Sequence, residues 1–304
     1  MRSRPASGAA VRSGTGPVRG PWAAARSGAD ATRREIPLPT RMCAVRGSPL
    51  RGRVTHRQAR DDGREAAVKE PEEERRAWDA RLGWAQGLTS DDPAERAAAL
   101  ARLDGAKRCA ARALERVNEY WSLTLPLGPE EQYREPAFRR ALEEYHRLCG
   151  HSLPEGLSGR AYGRPVTEWP GLPYGLLFLE WEARYPREWT LHAKSWGAKQ
   201  SLLRALARAD HDPAVAARLV GLVELAVRRA HRCKDREYVG VARAVDGADL
   251  RERLARAADS GDPWARCHAG YVRWMLDRPE VPNTRRVWHT WLAGSSGGGP
   301  PPRT

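Results

Sequence analysis

A short phrase recurs in this chain at places where a helical pattern has to turn. It reads Leu206-Ala-Arg-Ala-Asp210-His-Asp212-Pro213, and again Leu254-Ala-Arg-Ala-Ala-Asp-Ser-Gly-Asp262-Pro263. A fainter copy is Leu88-Thr-Ser-Asp-Asp92-Pro93. Each time an aspartate precedes a proline and an apolar-periodic run follows. Aspartate at the cap accepts an orphan backbone N–H, and proline at the first helical position has no N–H to leave unpaired. The pattern therefore predicts three helix starts. The two stronger copies stand 50 residues apart, near the length of a helix-pair repeat.

Around these starts the chain reads as helix after helix. A segment opening at Pro71-Glu-Glu-Glu carries Trp78, Leu82 and Ala85 and closes at Gly87. Asp92-Pro93 opens one with Ala97, Leu100 and Leu103, and Gly105 separates it from a longer one bearing Ala106, Ala110, Leu114, Val117 and Trp121. Phe138, Leu142, Tyr145 and Leu148 mark the next, stopped by Gly150. Leu176–Trp181 is too short for periodicity to decide, and its neighbours favour helix. A single helix is expected from Arg187 to Ala209, then the stripe Ala216, Leu219, Val220, Val223, Val227 and Ala230. Short helices follow at Tyr238–Val245, from Leu250 and from Pro263, with a terminal one carrying Val287, Trp288, Trp291 and Leu292. No alternating run bounded by hairpin turns appears in this body. The reading is all-α with about ten helices.

The division predicted along the chain is a basic Arg/Gly/Pro-rich segment at 1–66, a helical part at 67–149, an irregular connection at 150–173, a helical part at 174–292, and a Gly/Pro tail at 293–304. The connection is read as a surface excursion, the common fate of such stretches. Residues 1–66 hold fourteen arginines against five acids, with almost no apolar periodicity, so they are expected to be disordered. Most of the net charge of +14 sits there, and the body is only mildly basic. Forty-seven arginines against five lysines resemble the usage of GC-rich bacterial genomes. There, translated upstream DNA also looks like residues 1–66, so a native start near Met42 or later is expected. A genuine basic tail and a targeting peptide are the alternatives.

A leucine-rich helix, an Asp-Pro turn and a second helix with an early arginine resemble a HEAT-type repeat. The arginine matches at Arg266 and, shifted, at Arg218, over roughly residues 188–277. The resemblance implies an α-solenoid, a fold used mostly as a binding scaffold.

Sequence chemistry points to few catalytic groups. There is no Walker A loop, no dinucleotide fingerprint, no H-E-x-x-H and no G-x-S-x-G. Cysteine and histidine approach each other at His146/Cys149/His151, His231/Cys233 and Cys267/His268, which pooled in space would make a mixed nitrogen–sulfur zinc site or a Cys–His pair. Cysteine on an apolar helix face is more simply a small hydrophobe. The pairs Glu143/Glu144 and Glu180/Glu182 read as solvated helix surface. No catalytic residue, metal or cofactor is assigned. Twelve tryptophans in a chain with two phenylalanines read chiefly as core.

The binding candidate is an arginine face. Arg218, Arg228, Arg229 and Arg232 follow Pro213, and Arg266 and Arg273 follow Pro263 at a seven-residue spacing. Lined up in a solenoid they would make a positive strip for an acidic protein surface. An ordinary solvated face has the same pattern. The function expected is non-enzymatic macromolecular binding, with a small helical enzyme or metal-binding protein as the alternative. A nucleic-acid partner is not favoured, since the body carries little excess charge. Without an apolar run long enough for a membrane span or a secretory signal, and with five scattered cysteines, a cytoplasmic place is expected.

Overall fold

A computed structural model describes residues 71–124, 128–157 and 165–294. The expectations for residues 1–66 and for most of the Gly/Pro tail lie outside these residues. Among the described residues there are twelve α-helices, four short 3-10 helices and no strand. None of these helices is long and apolar enough to cross a membrane.

All three Asp-Pro turns start helices. Asp92 Oδ1 accepts from the Ala94 N–H at 2.8 Å and opens α2 (Pro93–Leu123), following α1 (Pro71–Leu82) and a 3-10 segment at Gly83–Thr89. Asp212 Oδ1 accepts from Ala214 and Val215, both at 2.9 Å, at the head of α8 (Pro213–Val227). Asp262 accepts from the Trp264 N–H at 2.8 Å at the head of α11 (Pro263–Leu276).

Two expected boundaries are corrected. Gly105 does not break α2, which runs through it. An interior glycine costs only about 1 kcal/mol against alanine, and a long run of Ala, Arg and Leu with Leu103, Ala110 and Ala113 buried outweighs that. The single helix expected from Arg187 to Ala209 is two: α6 (Pro186–His192) and α7 (Trp196–Leu206). Ser195 is the cap between them, its Oγ accepting from the Ala198 N–H at 3.4 Å. Leu191, an apolar residue within that expected helix, is 80% exposed.

The C-terminal half of α2 packs along α4 (Pro136–Cys149), with α3 (Pro129–Arg134) at their end, around a small cluster of Val117, Phe138 and Ala141. The main core surrounds α5 (Leu172–Arg184), which is buried on nearly every side. The described parts of the connection between α4 and α5, residues 150–157 and 165–171, belong to this core instead of crossing the surface: Leu153, Leu157, Val166 and Trp169 are all buried. At Gly171 a Cβ would lie 2.5 Å from the Trp169 ring and 2.6 Å from Trp78, so only glycine lets the chain turn into α5.

Next, α9 (Tyr238–Ala244) follows a tight turn, and α10 (Ala248–Ala258) leads through the third Asp-Pro turn to α11. The α10 and α11 helices pack along each other, whereas α7 and α8 touch little, because α8 lies against α5, α9, α10 and α11. A final helix, α12 (Arg285–Gly294), rests on α11 through Trp288 and Trp291.

Candidate functional site

The helices converge on a buried group of charges that sequence reasoning read differently. Glu182 on α5, expected at a solvated surface, is fully buried, as is Lys199 on α7. Asp235 is carried inward by the turn after α8, where Lys234 adopts φ 70°. Arg229 and Arg232 lie in the same turn, beyond the end of α8. Lys199 Nζ lies 2.6 Å from Asp235 Oδ1 and 3.0 Å from Glu182 Oε2. Arg229 spans both carboxylates, at 2.7 Å each. Arg232 Nε donates to Glu182 Oε1 at 2.6 Å, and its backbone N–H donates to Asp235 Oδ2 at 2.6 Å. Trp196 and Tyr238 flank the Lys199 ammonium at 5.6 and 5.4 Å.

Buried charges survive only when paired and hydrogen-bonded, and each of these is paired, although the Arg229 Nε–H itself has no acceptor among the described residues. Burial pushes the Asp235 carboxyl up, but Arg229 and Lys199 outweigh it and hold the group at about 2. Burial disfavours the Arg229 cation, yet Asp235 and Glu182 raise its pKa above the usual range. Burial keeps the Tyr238 phenol protonated, with Glu182 adding to the effect.

The six arginines proposed as a positive strip are therefore not one free surface. Arg229 and Arg232 belong to the buried group. Arg218 clamps Glu180 with two bonds, at 2.6 and 3.0 Å, and Arg228 bonds Glu224 on its own helix at 3.0 Å. Only Arg266 and Arg273 of the six are exposed without a partnered carboxylate among the described residues. The physical reason is that α8 is an inner helix. Arg218 on its flank meets an acid of α5, and the turn after it carries Arg229 and Arg232 inward to Glu182 and Asp235.

The cysteine and histidine candidates are only partly brought together. The rings of His231 and His268 lie 5.4 Å apart, among Trp264, Trp288 and Tyr271. No cysteine completes a ligand set: among the described residues no three His, Cys, Asp or Glu side chains converge as for a metal. Burial, and then the neighbouring His231, push the His268 imidazole down to about 4, so it is neutral. Burial pushes the Cys267 thiol up to about 11, far from the reactive thiolate.

A second feature, absent from the sequence expectations, lies between α11 and α12. It is a groove of about 530 Å³ lined by Trp274, Val281, Arg286, Val287, Thr290, Trp291 and Gly294. The volume falls in the range of sites that take up a compact ligand or side chains. Helix α12 is amphipathic yet buries none of its residues completely, so its apolar stripe is only half covered. Both tryptophans are held by ring contacts: Trp274 stacks with Tyr271 at 6.2 Å and has the Arg278 guanidinium over it at 5.0 Å, and Trp291 stacks with Trp288 at 5.7 Å. Arg273, Arg278, Arg285 and Arg286 around this face are exposed, with Glu280 the one exposed acid in the stretch from Arg278 to Gly294. Asp277, the carboxylate that feels Arg273 and Arg278, is already bonded to Arg251 at 2.8 Å. Comparison of the chain with protein-family models, with curated proteins and with solved structures finds no match.

Proposed function

We propose that this chain is a non-enzymatic binding protein of the cytoplasm, a scaffold of HEAT-like helix pairs that captures another protein through the groove between α11 and α12. The observation that carries this reading is the groove itself. It combines half-covered tryptophans with the exposed Arg286 in its wall, residue types that dominate interface hot spots. The packed α10–α11 pair supports the helix-pair reading, since a repeat hairpin would present its second helix in this way. The buried charges support a scaffold role. They bind α5, α7 and the turn between α8 and α9 to each other, and their hydrogen bonds are made within the protein.

The test is photo-crosslinking with the full chain. A photoactivatable residue replacing exposed Thr290, in the groove wall, is expected to give a discrete protein adduct in cells. The same residue at exposed Arg187 on α6 is expected to give none. Adducts at neither position, or equally at both, refute the groove as the recognition surface.

A further inference from the structure

We infer that the groove takes an acidic peptide segment carrying bulky apolar anchors, such as Leu or Phe spaced among Asp and Glu. This rests on the groove being the recognition surface and specifies what it recognises.

Charge sets the first requirement. Arg286 is part of the groove wall, and the Arg278 guanidinium lies over Trp274, another wall residue. Against these two cations stand Glu280 and an Asp277 already bonded to Arg251. Complementary charge steers association and fixes orientation, so the partner segment is acidic. Shape and polarity set the second. Trp274, Val281, Val287 and Trp291 make the walls mostly apolar, and a recess of about 530 Å³ is filled by side chains, not by carboxylates alone.

The rings argue for peptide over nucleic acid. Single-stranded nucleic acids are held by bases stacking on free aromatic faces. Here Tyr271 and Arg278 already lie on Trp274, and Trp288 lies on Trp291. A recess walled by such engaged rings and two valines suits aliphatic and phenyl anchors.

The experiment uses the full chain and four fluorescently labelled probes. One is a 14-residue synthetic peptide with Glu and Asp around two Leu and one Phe. The second has Gln and Asn for the acids, the third has Ser for the anchors, and the fourth is a 12-nucleotide oligouridylate. Fluorescence anisotropy is expected to show saturable binding of the first. The second and third should bind about tenfold more weakly, the loss of roughly one interfacial charge set or anchor set. Affinity for the first should fall as salt rises from 50 to 300 mM, as expected of an exposed charge interaction.

Thr290→Glu, a substitution at an exposed helix position, should lower affinity for the first peptide about tenfold through like-charge repulsion, and Thr290→Lys should preserve it. Unchanged far-UV circular dichroism in both variants separates this from misfolding. Equal binding of the acidic and neutral peptides overturns the acidic assignment, as does failure of the first peptide to bind while Thr290 still crosslinks a protein. Tightest binding of the oligouridylate overturns the peptide assignment. Equal affinity of Thr290→Glu and Thr290→Lys for the first peptide overturns the groove as its site and the function proposed above with it.

Discussion

Consider removing one charge at a time from the buried group. Three cations, Lys199, Arg229 and Arg232, face two carboxylates, Glu182 and Asp235, so the group carries one excess positive charge. Glu182→Gln raises that excess to two and replaces the acceptor of three cationic partners by an amide whose NH2 end points at a cation. Breaking a buried pair in this way costs about 3–5 kcal/mol. Lys199→Met does the opposite. It leaves two cations on two carboxylates, and a side chain of similar length fills the space between Trp196 and Tyr238. Both carboxylates keep arginine partners, so no buried charge is left uncompensated and the cost should stay near ~1 kcal/mol. Urea unfolding at pH 7, followed by tryptophan fluorescence and far-UV circular dichroism, measures both. Trp189 and Trp196 report on the group directly, with the Arg232 guanidinium 5.8 and 5.3 Å from their rings. The gap between the two variants should be about 2–4 kcal/mol, and it should persist in 0.5 M salt, because buried pairs are poorly screened. Equal destabilisation, or a greater loss in Lys199→Met, would refute the charge count on which the argument depends.

Stability should also fall on mild acidification through His268. Its imidazole titrates near 4 in the folded protein against 6.5 in the unfolded chain. The stabilisation is complete above pH 6.5 and lost as pH drops towards 4. Between pH 7.5 and pH 5 this amounts to about 2 kcal/mol, and urea titrations of wild type and His268→Gln should differ by that slope. Asp212→Ala and Asp262→Ala should each cost about 1 kcal/mol in the same assay, since each removes a side-chain cap. Two glycines should respond with opposite signs. Gly105→Ala, in the interior of α2 where a Cβ meets only the Arg108 side chain at 3.9 Å, should stabilise by up to about 1 kcal/mol. Gly171→Ala, whose Cβ would collide with Trp169 and Trp78, should destabilise by about 1–3 kcal/mol, and no loss there would mean that the tryptophans are not packed as described.

The elements most legible in the sequence were those whose signal is local. Asp-Pro caps and apolar stripes are decided within one turn of chain, and α2, α4, α8, α10 and α11 all begin at the residues those signals mark or within two of them. Where a local signal competes with tertiary packing, reading fails. Gly105 is a weak breaker overridden by burial on both sides, and the Ser195 cap is hidden inside what looks like one long periodic run. The irregular stretch before α5 reads as surface because Gly and Pro exclude helix, but its Leu153 and Trp169 are core residues. The buried charges were the least legible. Glu182 and Glu180 are two positions apart on one helix, and one faces the Lys199 ammonium while the other meets Arg218 at the rim. The available clue was an acid inside the run Leu176–Ala183, which is too apolar to leave any side of α5 in water.

Arginine usage explains why the sequence pointed to a strip around α8 and not to the groove. In a chain with forty-seven arginines, one side-chain type serves both internal and external roles, and composition does not separate them. What separates them is the position of the element in the packing order. The α8 helix is enclosed by four others, so Arg218 on it and Arg229 and Arg232 just after it reach acids, whereas α12 is the last layer and Arg285 and Arg286 are exposed. The two regions are nonetheless connected. The turn that sends Asp235 inward presents the carbonyl of its neighbour Arg236 to Asn283 Nδ2 at 2.5 Å, and Asn283 Oδ1 accepts from the Tyr271 hydroxyl at 3.2 Å. From the other side, Arg243 Nη2 lies 2.9–3.0 Å from the carbonyls of Met275, Arg278 and Val281. These bonds fix both ends of the loop between α11 and α12 to the frame set by the buried charges. A binding groove with only half-covered side chains keeps its shape when such fixed backbone points hold its walls, because little apolar burial is available to do so.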